Sequence, residues 1–207
     1  MPQKVKYPRT YHLPWSPGLQ NDDKKMETTS YLEGQNIVVT EKSDGENTSM
    51  YRDHIHARSL DSGYHESRDA VKKIWGDIKH NIPENFRVCG ENMYAKHSIF
   101  YDNLESYFLV FSVWDGLTCL SWEDTLEWIE LLGLSSVTVL YQGIYDENVL
   151  QGLYKDSMEG YVVRVTDSFE HSEFPVKAGK FVRKGHVQTS EHWMSQAIVK
   201  NEVKNET

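Results

Sequence analysis

The hydrophobic pattern along the chain mixes two periods. Residues 36–40 (NIVVT) form a β-branched run, and from Gly45 onward apolar and polar positions alternate loosely through Met50 and Ile55. That pattern predicts a strand, a tight connection and further strands. Residues 86–89, 107–114 (YFLVFSVW), 136–141, 161–165 and 180–187 also read as strands. Helical spacing appears at 67–79, where Val71, Ile74, Trp75 and Ile78 recur on one face and Ser67 is placed to cap. It appears again at 121–132, with Trp122, Leu126 and Ile129 on one face and Asp124 at the third helical position. A short helix over 147–155 and a terminal helix over 190–200 complete the pattern. Strands outnumber helices and do not alternate with them, which predicts an α+β fold with antiparallel sheets. Residues 1–30 are rich in Pro, Asp, Lys and Thr and read as an irregular arm. No linker, repeat or low-complexity tract divides the chain, so it is expected to form one domain over 1–207 with a helical tail over 188–207.

Composition narrows the class. The 207 residues are 39% hydrophobic and 26% charged, ordinary globular material. The net charge of −9 argues against a non-specific nucleic-acid coat, while leaving room for a local basic strip. Cys89 and Cys119 form no C-x-x-C pair, so spacing suggests neither a zinc site nor a disulfide framework, and a reducing cytoplasm fits. The N-terminus has no apolar core of signal-peptide length, and no segment has bilayer-spanning length, so no membrane is expected. There is no G-x-x-x-x-G-K-[ST] loop and no dinucleotide fingerprint.

The chemistry concentrates in residues 41–47, EKSDGEN. Lys42 ends an apolar strand and precedes Asp44 and Gly45, a placement that projects an amine into a cleft. The amine is a nucleophile only when deprotonated, and burial or neighbouring cations would lower its pKa to permit this. K-x-D-G by itself is common in turns. Here it is followed in order by VCGEN (88–92), YFLVFSVWD (107–115), EGYVVR (159–164) and KFVRK (180–184).

Taken jointly, these motifs resemble the covalent nucleotidyltransferase superfamily of ATP-dependent ligases and RNA capping enzymes, most closely phage-type RNA ligases of the RNA ligase 2 group, over about residues 31–193. The resemblance implies a nucleotidyltransferase domain whose antiparallel sheets surround an ATP cleft. It implies that Lys42 attacks the α-phosphate of ATP, that Glu41 and Asp44 beside it help bind the nucleotide, and that Asn47 serves the sealing step. Arg58 would contact phosphate, Glu91 hold the ribose, Phe111 stack on adenine, and Glu159 sit near the metal and the lysine. Arg164 stands where the family often has lysine. Lys180 and Lys184 are the candidates for the phosphate-binding lysines of the last motif, on one strand face by period two.

The implied cofactors are ATP and Mg²⁺ or Mn²⁺, and the implied partner is RNA with 5′-phosphate and 3′-hydroxyl ends, with no obligate protein partner. Each residue also has a plainer reading: Arg58 as an ion-pair partner, Phe111 as core, Glu91 and Asn47 as turn residues, Glu159 as a strand-end acid. His54 and His56 share a strand face, a pattern more often structural than metal-binding. The run with Tyr94, Lys96 and His97 suits a nucleic-acid groove. Two rivals remain on sequence grounds. A DNA ligase or GTP-using capping enzyme usually carries a C-terminal oligonucleotide-binding barrel, and only about twenty residues follow Lys184. A non-catalytic binding module would not require Lys42, Glu91 and Glu159 together.

Overall fold

The computed structural model describes residues 4–20, 22–186 and 197–204. The first strand, β1 (Tyr11–His12), is followed by a 3₁₀ turn at Ser30–Leu32 and then by β2 (Asn36–Lys42), β3 (Glu46–Met50) and β4 (Ile55–Ala57). After a 3₁₀ turn at Glu66–Arg68 come α1 (Asp69–Ile78), β5 (Phe86–Asn92), β6 (Phe108–Asp115), β7 (Thr118–Cys119) and α2 (Trp122–Leu131). The chain continues through β8 (Ser135–Ser136), β9 (Val139–Ile144), α3 (Glu147–Gln151), β10 (Gly160–Val165), β11 (Phe169–Glu170), α4 (Phe174–Lys177) and β12 (Ala178–Val182).

Among the described residues the strands form two sheets. The smaller runs β1-β12-β10-β2-β9; the larger runs β11-β7-β6-β5-β3-β4, with β8 on β6. The long pairings are antiparallel, and the short β1–β12 and β6–β8 pairings are parallel. One face of the larger sheet, carrying Met50, Val88, Val110 and Val113, packs on Val71 of α1 and Ile129 of α2. Cys89 and Trp114 belong to a cluster shared with Val39, Tyr161 and Val163 of the smaller sheet. No helix among the described residues is long and apolar enough to cross a membrane, and both cysteines are free and buried.

Local chemistry accounts for the helix ends. Ser121 caps α2: its Oγ accepts from Asp124 N at 3.0 Å. Ser67 does not cap α1; it lies in the preceding 3₁₀ turn, whose cap is His65, the ring accepting from Ser67 N. On α2 the buried positions are Trp122, Thr125 and Ile129, while Leu126 is exposed, because the helix rests on the sheet one position around from the expected stripe. The expected helix over 147–155 stops at Gln151, just before Gly152.

Three expectations about the chain ends change. The described part of residues 1–30 is built into the fold: β1 extends the smaller sheet, Leu13 and Met26 are buried in the core, and Trp15 Nε1 donates to Tyr161 Oη at 2.9 Å. The expected strand over 180–187 stops at Val182, because the chain turns at Gly185, whose φ of 74° belongs to the left-handed region. The described part of the expected terminal helix, 197–200, is not helical. Lys200 bridges Ala95 and Val203 bridges Leu104, tying this segment to the loops around β5 and β6. Residues 187–196 lie outside the described residues.

Candidate active site

The two sheets meet around a cleft of about 860 Å³. Strand β2 in the smaller sheet leads directly into β3 in the larger one through Ser43, Asp44 and Gly45. This turn needs glycine. A Cβ on Gly45 would come within 2.4 Å of Asn92 O and 2.9 Å of Glu91 Cγ. The motif is therefore a hinge point between sheets, with Lys42 on one side and Asn47 on the other.

Register brings Lys42 to its partner. Gly160 at the start of β10 pairs with Lys42, so the preceding Glu159 lies alongside. Lys42 Nζ is 2.6 Å from Glu159 Oε1, with the glutamate side chain 1% exposed. Burial alone would push the Lys42 ammonium's pKa down, but Glu159, Glu91 and Asp44 outweigh burial and hold it above its ordinary value. This reverses the expected lowering, because the neighbours are carboxylates rather than cations. Glu91 is pushed up to about 8, chiefly by burial; Lys42 opposes the rise, and Glu159 and Asp44 add to it.

Asp44 is fixed by the loop at 98–101. Its Oδ2 accepts from Ser98 N at 2.8 Å, Ser98 Oγ at 2.6 Å and Ile99 N at 3.0 Å, while its amide donates to Tyr101 Oη at 3.1 Å. Burial would raise the carboxyl's pKa, but these bonds, with His186 and His97 nearby, keep it below the usual range. Across the cleft β3 pairs Asn47 with Glu91 of β5. Asn47 Oδ1 is buried without a hydrogen-bond partner among the described residues, and Asn47 O accepts the Arg58 amide at 2.9 Å. Arg58 lines the cleft beside Arg9; burial and that second guanidinium push its pKa down. Phe111 lines the same wall, half-buried.

Lys180, on β12 opposite Val162, also faces the cleft. Its Nζ is 3.3 Å from Asp23 Oδ1, and Asp23 Oδ2 is 3.0 Å from His12 Nε2. His12 Nδ1 is 2.7 Å from Ser16 Oγ. Burial and the Lys42 charge push the Lys180 pKa down, with Asp23 opposing.

Three expected site residues stand differently. Lys184 is exposed in the turn after β12 and does not line the cleft, because the strand ends before the period-two argument reaches it. Arg164 is buried at the cleft floor with its guanidinium committed: Nη2 donates to Leu120 O at 2.7 Å, Nε to Val165 O at 3.0 Å, and Nη1 to Cys119 Sγ at 3.3 Å. Glu41 belongs to the cleft wall, but by strand alternation its side chain points away from the Lys42 side, and Lys155 is its charge neighbour.

Lys96 and His97 line the cleft, whereas Tyr94 packs edge-on against Tyr107 at 5.2 Å. His54 and His56 stack at 6.1 Å beside Tyr51. Sequence reading missed Tyr7 and Asp23 and gave Ser98 and His186 no chemical role. Tyr7 packs edge-on to Phe111 at 5.2 Å. Only the proximity of Ser98 to Glu91 in the chain, and of His186 to the last motif, hinted at any of them.

The fold is that of polynucleotide ligases. It is similar to a Naegleria gruberi RNA ligase solved with PPi, at a TM-score of 0.56 and 20% identity over 85% of this chain and 57% of that one. It is similar to an archaeal ATP-dependent RNA ligase, at 0.55 and 15% identity over 85% of this chain and 48% of that one. A putative ATP-dependent DNA ligase from Aquifex aeolicus gives 0.51 and 20% over 74% and 45%. This chain thus spans about half the length of these proteins. No curated protein matches it. Residues 35–182, more than half of the chain, match the RNA ligase family, and the protein belongs to that family.

Proposed function

We propose that the protein is an ATP-dependent RNA ligase that works through a lysyl-adenylate on Lys42. The observation that carries this reading is the Lys42–Glu159 pair at 2.6 Å in a cleft that also holds Glu91, Asn47, Arg58, Phe111 and Lys180. A binding module has no need of a half-buried amine held among three acidic side chains, an arrangement that costs desolvation. The fold neighbours agree in kind: a form of the Naegleria gruberi RNA ligase was solved with ATP and Mn.

In this reading Lys42, once it has given up a proton, attacks the α-phosphorus of ATP. The N–P bond forms, the bond to the bridging oxygen breaks, and pyrophosphate leaves. Phe111 offers a face to adenine, and Glu91 a carboxyl to the ribose. Lys180, held by Asp23, and Arg58, beside Arg9, offset phosphate charge. A 5′-phosphate oxygen then attacks the adenylate, returning Lys42 as an amine. Finally a 3′-hydroxyl attacks that 5′-phosphorus, the phosphodiester forms and AMP leaves. Asn47, with an unpartnered amide oxygen, stands ready for this last step.

Asp44 and Glu159 are buried oxygen donors whose atoms lie within reach of one cation, so the residues fit Mg²⁺ or Mn²⁺. When bound, such a cation offsets charge on the phosphates. Arg164 and Lys184 take no part in nucleotide binding in this account.

The test is strand joining. RNA with a labelled 5′-phosphate and a free 3′-hydroxyl, as a nicked duplex and as single strands, is incubated with ATP and magnesium. A sealed product and a transient adenylated RNA are expected from the native protein and not from Lys42→Ala. Sealing of DNA ends alone would reassign the substrate, and joining by Lys42→Ala would end the proposal.

A further inference from the structure

The cation site described above has a third member that the ligase reading does not need. His186 lies just beyond β12, where the left-handed Gly185 swings the chain back over the cleft. Its carbonyl accepts from Gln20 Nε2 at 3.0 Å, which anchors the backbone. Its Nε2 is 3.2 Å from Glu159 Oε1 and 3.5 Å from Asp44 Oδ1. One ligand atom from each of the three residues falls within 4.8 Å of the others, and all three residues are buried.

The hydrogen-bond pattern decides what His186 offers there. The Ser98 hydroxyl has a single proton, and it is donated to Asp44 Oδ2 at 2.6 Å. In its 3.4 Å contact with His186 Nδ1, the Ser98 oxygen therefore accepts, and Nδ1 carries the ring proton. In the neutral imidazole this leaves Nε2 as a lone pair directed at two carboxylates. Two carboxylate oxygens and a ring nitrogen this close together in a buried space suit a divalent cation beside the Lys42 ammonium, which meets Glu159 Oε1 at 2.6 Å, and a metal-bound histidine is typically oriented through its other ring nitrogen in this way.

We propose that His186 supplies Nε2 as a ligand to the divalent cation held by Asp44 and Glu159, and thereby tilts the site from magnesium toward manganese. Magnesium favours an all-oxygen shell, whereas imidazole nitrogen suits transition metals. This inference rests on the ligase reading only for the use to which the cation is put; the ligand set can be tested without catalysis.

The experiment is Mn²⁺ binding to the purified protein, followed by electron paramagnetic resonance, with pulsed detection of nitrogen coupling. Native protein, His186→Gln and His97→Gln are compared, each checked for an unchanged thermal midpoint. Bound Mn²⁺ is expected to show ¹⁴N coupling in the native protein and in His97→Gln. His186→Gln is expected to lose the coupling and to bind Mn²⁺ about tenfold more weakly or worse, with a smaller change for Mg²⁺. Should His186→Gln fail to fold, native protein carrying ¹⁵N-histidine must convert the ¹⁴N pattern to a ¹⁵N one. Bound Mn²⁺ without nitrogen coupling in the native protein would show His186 to be only a hydrogen-bond partner of the carboxylates and would overturn the proposal. So would coupling that disappears with His97 instead, or no Mn²⁺ binding at all. Mass analysis after ATP addition to the same native sample separates the two readings: an adenylated protein without nitrogen coupling removes His186 and leaves the ligase.

Discussion

Gly160 is the tightest point of the smaller sheet. It pairs with Lys42 on one side and Val182 on the other. A Cβ there would meet Phe181 O at 1.9 Å, Phe181 C at 2.8 Å and Val182 Cα at 3.1 Å. An ordinary carbon–oxygen contact is about 3.3 Å, so Gly160→Ala must drive β12 outward by more than about 1 Å. That displacement breaks ladder bonds worth about 1 kcal/mol each and leaves buried backbone groups unpaired at further cost. A total loss of about 2–4 kcal/mol follows, lowering the melting midpoint by roughly 5–15 °C for a chain of this length. The same movement carries Lys180 away from Lys42. A shift of about 1 Å can cost roughly a hundredfold in rate, so self-adenylation should fall by about that factor even well below the melting point. Thermal or urea unfolding, paired with single-turnover adenylation, measures both effects. A Gly160→Ala protein within about 0.5 kcal/mol of native stability and with native adenylation would refute the close β10–β12 packing that places the site.

Three further outcomes follow from the cleft. Glu91 has its carboxyl pushed up to about 8 from an ordinary 4.5, so between those values the native state holds a proton that the unfolded state has released. Stability should therefore fall as pH rises through that window, at most by about 1.4 kcal/mol per pH unit, and Glu91→Gln should lack this slope in urea titrations at pH 5 to 8. Asp23→Asn removes the charge that holds Lys180 and should slow adenylation about tenfold, or about 1.4 kcal/mol in the barrier, as read by quenched-flow labelling; an unchanged rate would show that Lys180 needs no such support. Arg164→Leu strands the carbonyls of Leu120 and Val165 and should cost about 2–4 kcal/mol of stability with little change in the KM for ATP, whereas a raised KM at native stability would place Arg164 in nucleotide binding.

Much of the site was legible because its motifs sit on strands whose period is visible. The run before Lys42 and the acid before β10 each announce a strand and the side chain at its end, and the aromatic β6 announces a strand with Phe111 within it. The antiparallel α+β class followed from the same runs. What escaped depends on contacts distant in the chain. Asp23 reaches Lys180 only because β1 joins β12 in parallel, and nothing in a segment rich in Pro, Lys and Asp signals such a pairing. Lys184 looked equivalent to Lys180 by alternation, but alternation holds only while the strand lasts, and Gly185 ends it. Arg164 is expected at the site because the resemblance puts it where the family often has lysine, and nothing in the sequence signals that the carbonyls of Leu120 and Val165 hold its guanidinium at the cleft floor. The Lys42 pKa went the other way from expectation because its neighbours come from three different segments, at Glu91, Asp44 and Glu159.

The central claim is that Lys42 is the nucleophile. Purified protein incubated with ATP and magnesium, after any AMP already attached has been discharged with pyrophosphate, should gain the mass of one AMP. Peptide mapping should place that AMP on Lys42, and Lys42→Ala should gain nothing. An adduct on another residue such as Lys180, or no adduct on a folded protein that binds ATP, would contradict the account.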